Sequence, residues 1–268
     1  MTHQIIIVGA LGKMGREIAE IVLSDSQCEL IGAIEYTGHP SIGKDYGASI
    51  GKNLHPLSIS TGLQEITYVN GTCIDFSSPA SLHNLLPDAV EKNTPVVVGT
   101  TGLSENDISF LKSFSGKIPV LYSPNMSFGV NILFMLTEMV SSKLKDSYDI
   151  EIIESHHRFK KDAPSGTAKR LGQIVASSLG LPYEQCVHDG RKGIYSSGRT
   201  GSEVGMHAIR GGDIVGDHTV LFAGIGERLE LKHIAHSRSN FASGAVLAAK
   251  WLSRQKPGFY SMRNVLEI

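Results

Sequence analysis

The sequence has little of several features that would place it in a class at once. Its 268 residues include only three cysteines, Cys28, Cys73 and Cys186, and they form no CxxC pair. Neither a disulfide framework nor a cysteine zinc site is therefore expected. Charge is nearly balanced, with 25 Lys and Arg against 26 Asp and Glu. No basic surface therefore indicates nucleic acid or an anionic membrane as a partner.

Long hydrophobic runs are also missing, and a secretion signal is not expected from the first residues. The apolar runs, such as residues 5–8 and 96–98, are too short to cross a bilayer as helices. The first residues lack the basic start and small-residue cleavage site of a signal peptide. We expect a cytoplasmic protein whose partner is a small molecule.

The first half of the chain alternates short apolar runs with amphipathic stretches. Candidate strands are residues 4–8, 30–34, 73–76, 95–98 and 119–122, and candidate helices are residues 14–23, 80–92 and 104–113. Most of the strands are almost continuously apolar, as in a parallel sheet covered on both faces. The pattern predicts βαβ units and an α/β fold with a Rossmann-like, doubly wound parallel sheet.

After residue 125 the pattern changes to that of an α+β domain with a mixed, largely antiparallel sheet. We predict a helix at 129–143, a strand at 150–154, a helix at 166–179, strands at 204–209, 219–223 and 228–234, and a final helix at 241–252. Because the three later strands follow one another without a helix, they should be antiparallel. The expected domains are 1–126, completed by 237–268, and 127–236. The glycine-rich stretch 190–205 is predicted to be a mobile loop, either a solvated connection, a closing lid or a loop that contacts an anion.

A glycine-rich loop separates the first predicted strand from the first helix. Gly9, Gly12 and Gly15 form a GxxGxxG pattern that also contains Lys13 and Met14. Glycines at such a turn let the backbone approach a diphosphate, and the amides at the helix start favour the anion. The alternative is a glycine-rich turn without a ligand.

A carboxylate follows the second strand, where a dinucleotide fold uses one to accept hydrogen bonds from ribose hydroxyls. Glu35 occupies this position about 20 residues after the loop, and Tyr36 follows it instead of an arginine. Since a carboxylate repels a 2′-phosphate, we expect NADH to be used at least as well as NADPH. The alternative is a surface glutamate.

Two further loops follow strands at the edge where a doubly wound sheet binds ligands. Their candidate cofactor residues are Gly99, Thr100, Thr101, Ser123, Pro124, Asn125 and Met126. Small and hydroxylated residues suit a nicotinamide amide and a ribose, although ordinary turn chemistry explains each loop equally well.

A second cluster follows the strand predicted at 150–154. His156, His157 and Lys160 precede Ser165, Gly166 and Thr167, whose amides open a helix. Cations beside helix-start amides form a site for a carboxylate or phosphate. Zinc is disfavoured, because neighbouring residues on a strand point to opposite faces, and no metal is expected. A solvated basic loop is the remaining alternative.

The run HHRFKKDAPSGTA at 156–168 resembles the signature of the 4-hydroxy-tetrahydrodipicolinate reductase family, formerly called dihydrodipicolinate reductases. The resemblance covers nearly the whole chain. It includes the glycine loop at 9–15, DFS at 75–77, VGTTG at 98–102, NMSFGVN at 125–131 and RGGDIVGDHT at 210–219. Two positions depart from the usual pattern: Phe159 often has a polar counterpart, and Ser78 replaces an arginine that some members place near the adenosine phosphate. Ser78 and Tyr36 both favour NADH.

The resemblance implies a homotetrameric NAD(P)H-dependent reductase of the diaminopimelate route to lysine, in which the second domain binds substrate and builds the tetramer. By matched position, His156 is the general acid and Lys160 assists it, while His157, Ser165, Gly166, Thr167 and Thr101 bind a cyclic dicarboxylate. Residues at the glycine loop, Glu35, Gly99, Thr101 and residues 123–126 would line the dinucleotide. Hydride transfer to a dehydrated, conjugated ring would leave an enamine charge for His156 to protonate.

Two other functions remain possible at this point. An amino-acid or oxo-acid dehydrogenase, such as an aspartate dehydrogenase, would share the glycine loop but not the HHRFKKDAPSGTA run. A non-catalytic NAD(P)-sensing module is disfavoured by the presence of His156 and Lys160. The sequence leaves open whether Arg238 contacts substrate.

Overall fold

The computed structural model describes residues 2–53, 56–68, 70–145, 147–196, 198–199 and 202–267. The chain divides into two compact units, Met1–Phe128 with Arg238–Ile268, and Gly129–Ser237. Among the described residues, no helix is both long and apolar enough to span a bilayer.

The secondary structure alternates strands and helices through most of the chain. The strands are β1 (His3–Val8), β2 (Cys28–Ile34), β3 (Ile59–Ser60), β4 (Gly71–Asp75), β5 (Val96–Val98), β6 (Pro119–Tyr122), β7 (Asp149–His156), β8 (Val187–Asp189), β9 (Val204–Arg210), β10 (Gly216–Ala223), β11 (Arg228–Ala235) and β12 (Gly258–Tyr260). The helices are α1 (Lys13–Ser24), α2 (Tyr46–Ile50), α3 (Leu82–Glu91), α4 (Glu105–Phe114), α5 (Phe128–Leu144), α6 (Gly166–Leu179), α7 (Tyr183–Cys186), α8 (Ser239–Leu252) and α9 (Met262–Val265).

The first unit is built on a parallel sheet with the strand order β12-β6-β5-β4-β1-β2-β3. Ile5, Ile6 and Ile7 of β1 are fully buried, because successive side chains point to opposite faces and both faces are covered. The prediction of a doubly wound parallel sheet is confirmed. The short strands β3 and β12 were not predicted.

Helices cover both faces of this sheet. On one face Ile18 and Val22 of α1 join Ala245 and Val246 of α8 in a common core. The two α1 residues lie four positions apart and therefore share one side of the helix. On the other face, Leu86 of α3 and Leu111 of α4 complete a second core. The C-terminal helix α8 is thus part of the first unit.

The second unit has a mixed sheet with the strand order β11-β10-β7-β9-β8. β10 is antiparallel to both β7 and β11, whereas β9 is parallel to β7 and β8. The mixed sheet was predicted, and β9, β10 and β11 run in alternating directions as expected. However, β9 does not pair with β10, because β7 lies between them and β9 pairs with β7 and β8, which are both parallel to it. The link between β9 and β10, residues 211–215, crosses the carboxyl end of β7 rather than forming a hairpin.

The crossing link matters because β7 ends later than predicted, at His156. The Gly211 amide donates to the His156 carbonyl at 2.9 Å, and the Arg158 amide donates to the Gly212 carbonyl at 3.2 Å. One face of the sheet packs on α6 through a core that includes Ile152 and Phe222. The fold therefore holds the histidine cluster at a strand end that is bound by a second loop.

Candidate active site

The glycine-rich loop joins β1 to α1 at the carboxyl edge of the first sheet. Gly9 has a φ of +74°, which an L side chain rarely adopts. A Cβ on Gly15 would lie 2.2 Å from the Gly9 carbonyl oxygen, so the start of α1 packs directly on the loop. The amides of Lys13 and Met14 then project from the helix start.

Three side chains fix this loop. The Leu11 amide donates to Glu35 Oε1 at 2.7 Å, and the Tyr46 hydroxyl donates to the Ala10 carbonyl at 2.9 Å. Burial raises the pKa of the fully buried Tyr46 well above its ordinary value, so its hydroxyl stays protonated. Arg16 Nε also donates to the Leu11 carbonyl at 3.0 Å. Glu35, a candidate for ribose binding, is thus also a structural partner of the loop.

The loop after β5 is tied to the end of the neighbouring strand β4. Thr100 Oγ1 donates to Asp75 Oδ2 at 2.6 Å and accepts from the Ser77 amide at 3.0 Å. Burial raises the pKa of Asp75 to about 6, against the lowering effect of hydrogen bonds from Ser77 and Thr100. The Thr100 side chain therefore faces the protein, whereas Thr101 is exposed.

The loop after β6 is partly a core element. Ser123 Oγ donates to the Asn125 carbonyl at 2.8 Å, and Met126 is buried among core residues of the first unit. A Cβ on Gly244 of α8 would lie 1.8 Å from the Met126 carbonyl oxygen, so the helix contacts this loop closely. Pro124 is exposed. Since β6, β5, β4 and β1 are adjacent parallel strands, the four loops that follow them lie along one edge.

In the second unit, His156 is bonded to a buried carboxylate. His156 Nδ1 lies 2.5 Å from Glu154 Oε2, and the Glu154 side chain is fully buried. Arg210 NH1 and NH2 bind the two oxygens of the same carboxylate, each at 2.8 Å. The Ser165 amide is a fourth donor, at 3.1 Å from Oε1.

Charges around this group act on both partners. Burial alone would raise the pKa of Glu154. The hydrogen bonds and charges of Arg210, His156 and the Ser165 amide together outweigh burial, so the pKa lies below its usual range. Burial lowers the pKa of His156, and the Lys160 and Arg210 cations lower it too, while Glu154 raises it. The net pKa of His156 lies below its ordinary value.

A second histidine lies beside His156. The His218 ring is 5.2 Å from the His156 ring in an edge-on arrangement, and its Nε2 is 3.1 Å from Ser165 Oγ. Burial and the neighbouring His156 lower the pKa of His218 to about 3, so this ring is neutral near pH 7. Ser165 Oγ also accepts from the Ala168 amide and thereby caps α6.

The remaining candidates lie on the loop between β7 and α6. Lys160 Nζ is 2.9 Å from Asp162 Oδ1, and the Lys160 amide donates to the His157 carbonyl at 3.1 Å. His157 Nδ1 is buried without a hydrogen-bond partner among the described residues. Gly166 and Thr167 occupy the first turn of α6. Of the three amides expected as ligand donors, that of Ser165 is already bound to Glu154.

Sequence reasoning left Glu154, Arg210 and His218 out of the candidate site. Glu154 and His156 are two residues apart on a strand, a spacing that places both on one face and could have indicated the pair. Arg210 pairs with His156 in register across β7 and β9, and His218 pairs with Glu154 across β7 and β10. Those pairings depend on strand order, which no local pattern encodes.

Arg199 and Arg238, on two segments that the sequence left open, lie outside the histidine cluster. On the stretch 190–205, where Ser197, Thr200 and Gly201 lie outside the described residues, Arg199 forms ion pairs with Asp149 and Glu151. Arg238 is exposed and immediately precedes α8. In the described ranges, no group of three or more His, Cys, Asp or Glu side chains could hold a metal ion.

Comparison with known proteins places the chain in a family. Residues 3–126 match the model described as "Dihydrodipicolinate reductase, N-terminus", and residues 129–266 match the model of its C-terminus. The chain belongs to the dihydrodipicolinate reductase family. It is 43% identical to the 4-hydroxy-tetrahydrodipicolinate reductase of Syntrophus aciditrophicus over 97% of both chains. It is 45% identical to that of Aquifex aeolicus over 99% of both chains.

Solved structures agree with this assignment at the level of fold. The chain is similar to a dipicolinate-bound dihydrodipicolinate reductase from Paenisporosarcina sp. TG-14, with a TM-score of 0.78 and 22% identity over 98% of this chain and 99% of that one. Dihydrodipicolinate reductases are NAD(P)H-dependent oxidoreductases that act on a small molecule. Membership decides in favour of the reductase against both alternative functions.

Proposed function

We propose that this protein reduces 4-hydroxy-tetrahydrodipicolinate with NAD(P)H to tetrahydrodipicolinate, in the diaminopimelate route to lysine. The first unit is the dinucleotide domain and the second binds substrate. The observation that carries the proposal is the His156 imidazole, held by buried Glu154 and close enough to Lys160 for the ammonium to lower its pKa. These residues lie in the part of the chain that matches the family model.

The first unit fits a dinucleotide. We call the loop between β1 and α1 the dinucleotide cradle. A Cβ on Gly9 would lie 2.9 Å from the Phe76 carbonyl oxygen, and one on Gly15 would collide with the loop, so both positions need glycine for the cradle to keep its shape. The residues proposed to hold the cofactor are Gly9, Gly12, Lys13, Met14, Gly15, Glu35, Gly99, Thr100, Thr101, Ser123, Pro124, Asn125 and Met126. When bound, the reduced nicotinamide supplies the hydride for the substrate ring.

Glu35 and its neighbours favour NADH. The side chain after it, Tyr36, is 66% exposed and carries no positive charge, and Ser78, three residues after β4, carries none either. A 2′-phosphate would meet a carboxylate without a compensating guanidinium. We expect kcat/KM for NADH to equal or exceed that for NADPH in steady-state assays. A strong preference for NADPH would contradict this part of the proposal.

The second unit supplies the acid and the carboxylate site. His156 donates a proton from Nε2 to the reduced ring, and the Lys160 ammonium stabilises negative charge as it develops. Amides of Gly166 and Thr167 at the start of α6, with His157, bind the substrate carboxylates. Ser165 sets the helix start through its cap. Thr101, from the loop after β5, completes the set of residues proposed to bind substrate.

Substitution of the acid and the cation tests this assignment. His156→Gln should lower kcat about 10²- to 10⁴-fold, the usual contribution of a general acid. Lys160→Ala should also lower kcat, and in both variants the dissociation constant of NADH should stay within about twofold of the wild-type value, because neither residue belongs to the dinucleotide cradle. Turnover is followed by NADH oxidation with the product of dihydrodipicolinate synthase. Full activity of His156→Gln, or loss of NADH binding, would refute the assignment.

We also propose a homotetramer assembled through the second unit, and a cytoplasmic location. One face of its sheet carries Ile209 and Ile234, which are 50% and 45% exposed, beside the half-buried Ile153 and Leu221. Although the same face also carries the exposed Glu230 and Lys232, burial of its apolar side chains against another subunit would stabilise an assembly. Light scattering should give four times the chain mass, and Ile209→Glu should reduce it. A wild-type monomer would refute the tetramer.

A further inference from the structure

We propose that Glu154 is a positioning residue which, held by Arg210, fixes the tautomer of His156 so that Nδ1 carries a proton and Nε2 is the reactive nitrogen. The inference deepens the proposed function and rests on His156 as its acid. Neither Glu154 nor Arg210 touches the reacting atoms in this assignment. Both act through the imidazole.

Four donors surround the Glu154 carboxylate. Oε1 accepts from Arg210 NH2 at 2.8 Å and from the Ser165 amide at 3.1 Å. Oε2 accepts from Arg210 NH1 at 2.8 Å and lies 2.5 Å from His156 Nδ1. Two bonds to a guanidinium require an ionised carboxylate, which can only accept hydrogen bonds. His156 Nδ1 must therefore be the donor.

The hydrogen bond to Glu154 decides which nitrogen of the His156 ring is protonated. A neutral ring carries one N–H, and Glu154 assigns it to Nδ1, which leaves a lone pair on Nε2. Proton uptake by the ring then occurs at Nε2, and the same atom returns that proton to the substrate. A Cβ on Gly216 would lie 3.0 Å from Nε2, so the glycine keeps a side chain away from this nitrogen.

Charged groups from several elements face His156. Lys160 from the following loop and Arg210 from β9 disfavour the imidazolium, and Asp162 is paired with Lys160. His218 from β10 is neutral, as its low pKa requires. Of the groups that act on His156, Glu154 is the one that favours the protonated ring. Without this carboxylate, the acid would be protonated only at lower pH.

Nitrogen NMR of the wild-type enzyme tests the tautomer without any substitution. In protein labelled with ¹⁵N at histidine, the neutral His156 ring should show a protonated Nδ1 and an unprotonated Nε2, with the assignment taken from loss of the signals in His156→Gln. A ring protonated at Nε2 in its neutral form would overturn the proposal. The result does not depend on turnover, so it stands apart from any test of the reaction.

The pH profile tests the electrostatic part. Glu154→Gln keeps the side-chain size and removes the charge, so the upper limb of the kcat profile should move to lower pH by about one unit or more. The KM for NADH should change by less than about twofold, since Glu154 is not among the residues proposed to hold the cofactor. An unchanged midpoint with a folded enzyme would overturn the proposal.

A matched control lies on the same strand. Glu151 is also a carboxylate bound by a histidine and an arginine, His207 at 2.7 Å and Arg199, but it faces away from His156. Glu151→Gln should leave the midpoint in place. If Glu154→Gln does not fold because Arg210 loses its counter-charge, the double variant Glu154→Gln/Arg210→Gln removes both charges and should show the same downward shift.

The outcomes separate this proposal from the function on which it rests. If His156→Gln retains full turnover, the assignment of His156 as the acid fails whatever the tautomer. If His156→Gln is inactive but Glu154→Gln keeps the wild-type midpoint, the function stands and the positioning role of Glu154 is refuted.

Discussion

The close contact between Gly15 and the loop before it predicts how much Gly15→Ala lowers the free energy of unfolding of the first unit. A Cβ at position 15 would lie 2.2 Å from the Gly9 oxygen and 2.7 Å from Ala10 backbone atoms. These are backbone atoms, and the loop cannot move away cheaply because Tyr46 and Glu35 hold it. Overpacking of this kind costs about 1–3 kcal/mol, and we expect the upper end. Better helix propensity of alanine returns about 1 kcal/mol.

We therefore expect Gly15→Ala to destabilise the first unit by about 2 kcal/mol, which lowers its Tm by roughly 4–8 °C. The chain's single tryptophan, Trp251, lies on α8 in that unit, so its fluorescence during urea unfolding reports on the unit directly. KM for the cofactor should also rise, because the amides at the start of α1 must shift.

Gly12→Ala is the matched control, with the same added methyl group on the same loop. Its Cβ would lie 3.1 Å from the same Gly9 oxygen, and its backbone φ of −66° suits any residue. The loss should stay below about 1 kcal/mol, the cost of alanine at a helix N-cap. Equal stability of Gly15→Ala and wild type, or equal losses in the two variants, would refute the packing argument.

Two further substitutions test buried polar groups. Tyr46→Phe should cost roughly 1–3 kcal/mol by orphaning the buried Ala10 carbonyl, and unchanged stability in urea would contradict the hydrogen bond as a support of the loop. The pKa of His218 is about 3 in the folded protein against 6.5 when exposed. The unfolded state therefore binds more protons as the pH falls, and from about pH 7 to pH 5 the wild type should lose about 2 kcal/mol more than His218→Gln. Equal pH dependence of the two proteins in urea would show that the ring is not buried neutral.

Local features of the first unit could be predicted from the sequence. The continuous apolar run of β1 and the glycines behind it are dictated within about fifteen residues, because both depend on burial and on backbone conformation at single positions. The strands β3 and β12 escaped prediction, since two or three residues carry no periodicity.

The second unit shows where local reasoning stops. Its β9 is placed beside β7 and parallel to it across more than forty residues of intervening chain, so turn chemistry carries no information about the pairing. The sequence therefore carried no sign that Glu154 and Arg210 are in contact, although they form a bidentate ion pair beside His156. The candidate acid could be named from its motif, but the groups that control it required the strand order.

Each unit has a carboxylate that fixes a loop before a helix, Glu35 in the first and Glu154 in the second. In each unit, this carboxylate lies near a strand end and accepts a hydrogen bond from a backbone amide of the loop. The donor is the Leu11 amide for Glu35 and the Ser165 amide for Glu154. Both oxygens of Glu154 are bound by protein donors, so its negative charge acts on Arg210 and His156. Glu35 Oε1 accepts from the Leu11 amide, and in the proposed function Oε2 accepts from a ribose hydroxyl. Glu35→Gln should therefore weaken cofactor binding by two routes, and only comparison with Tyr46→Phe, which disturbs the loop alone, separates them.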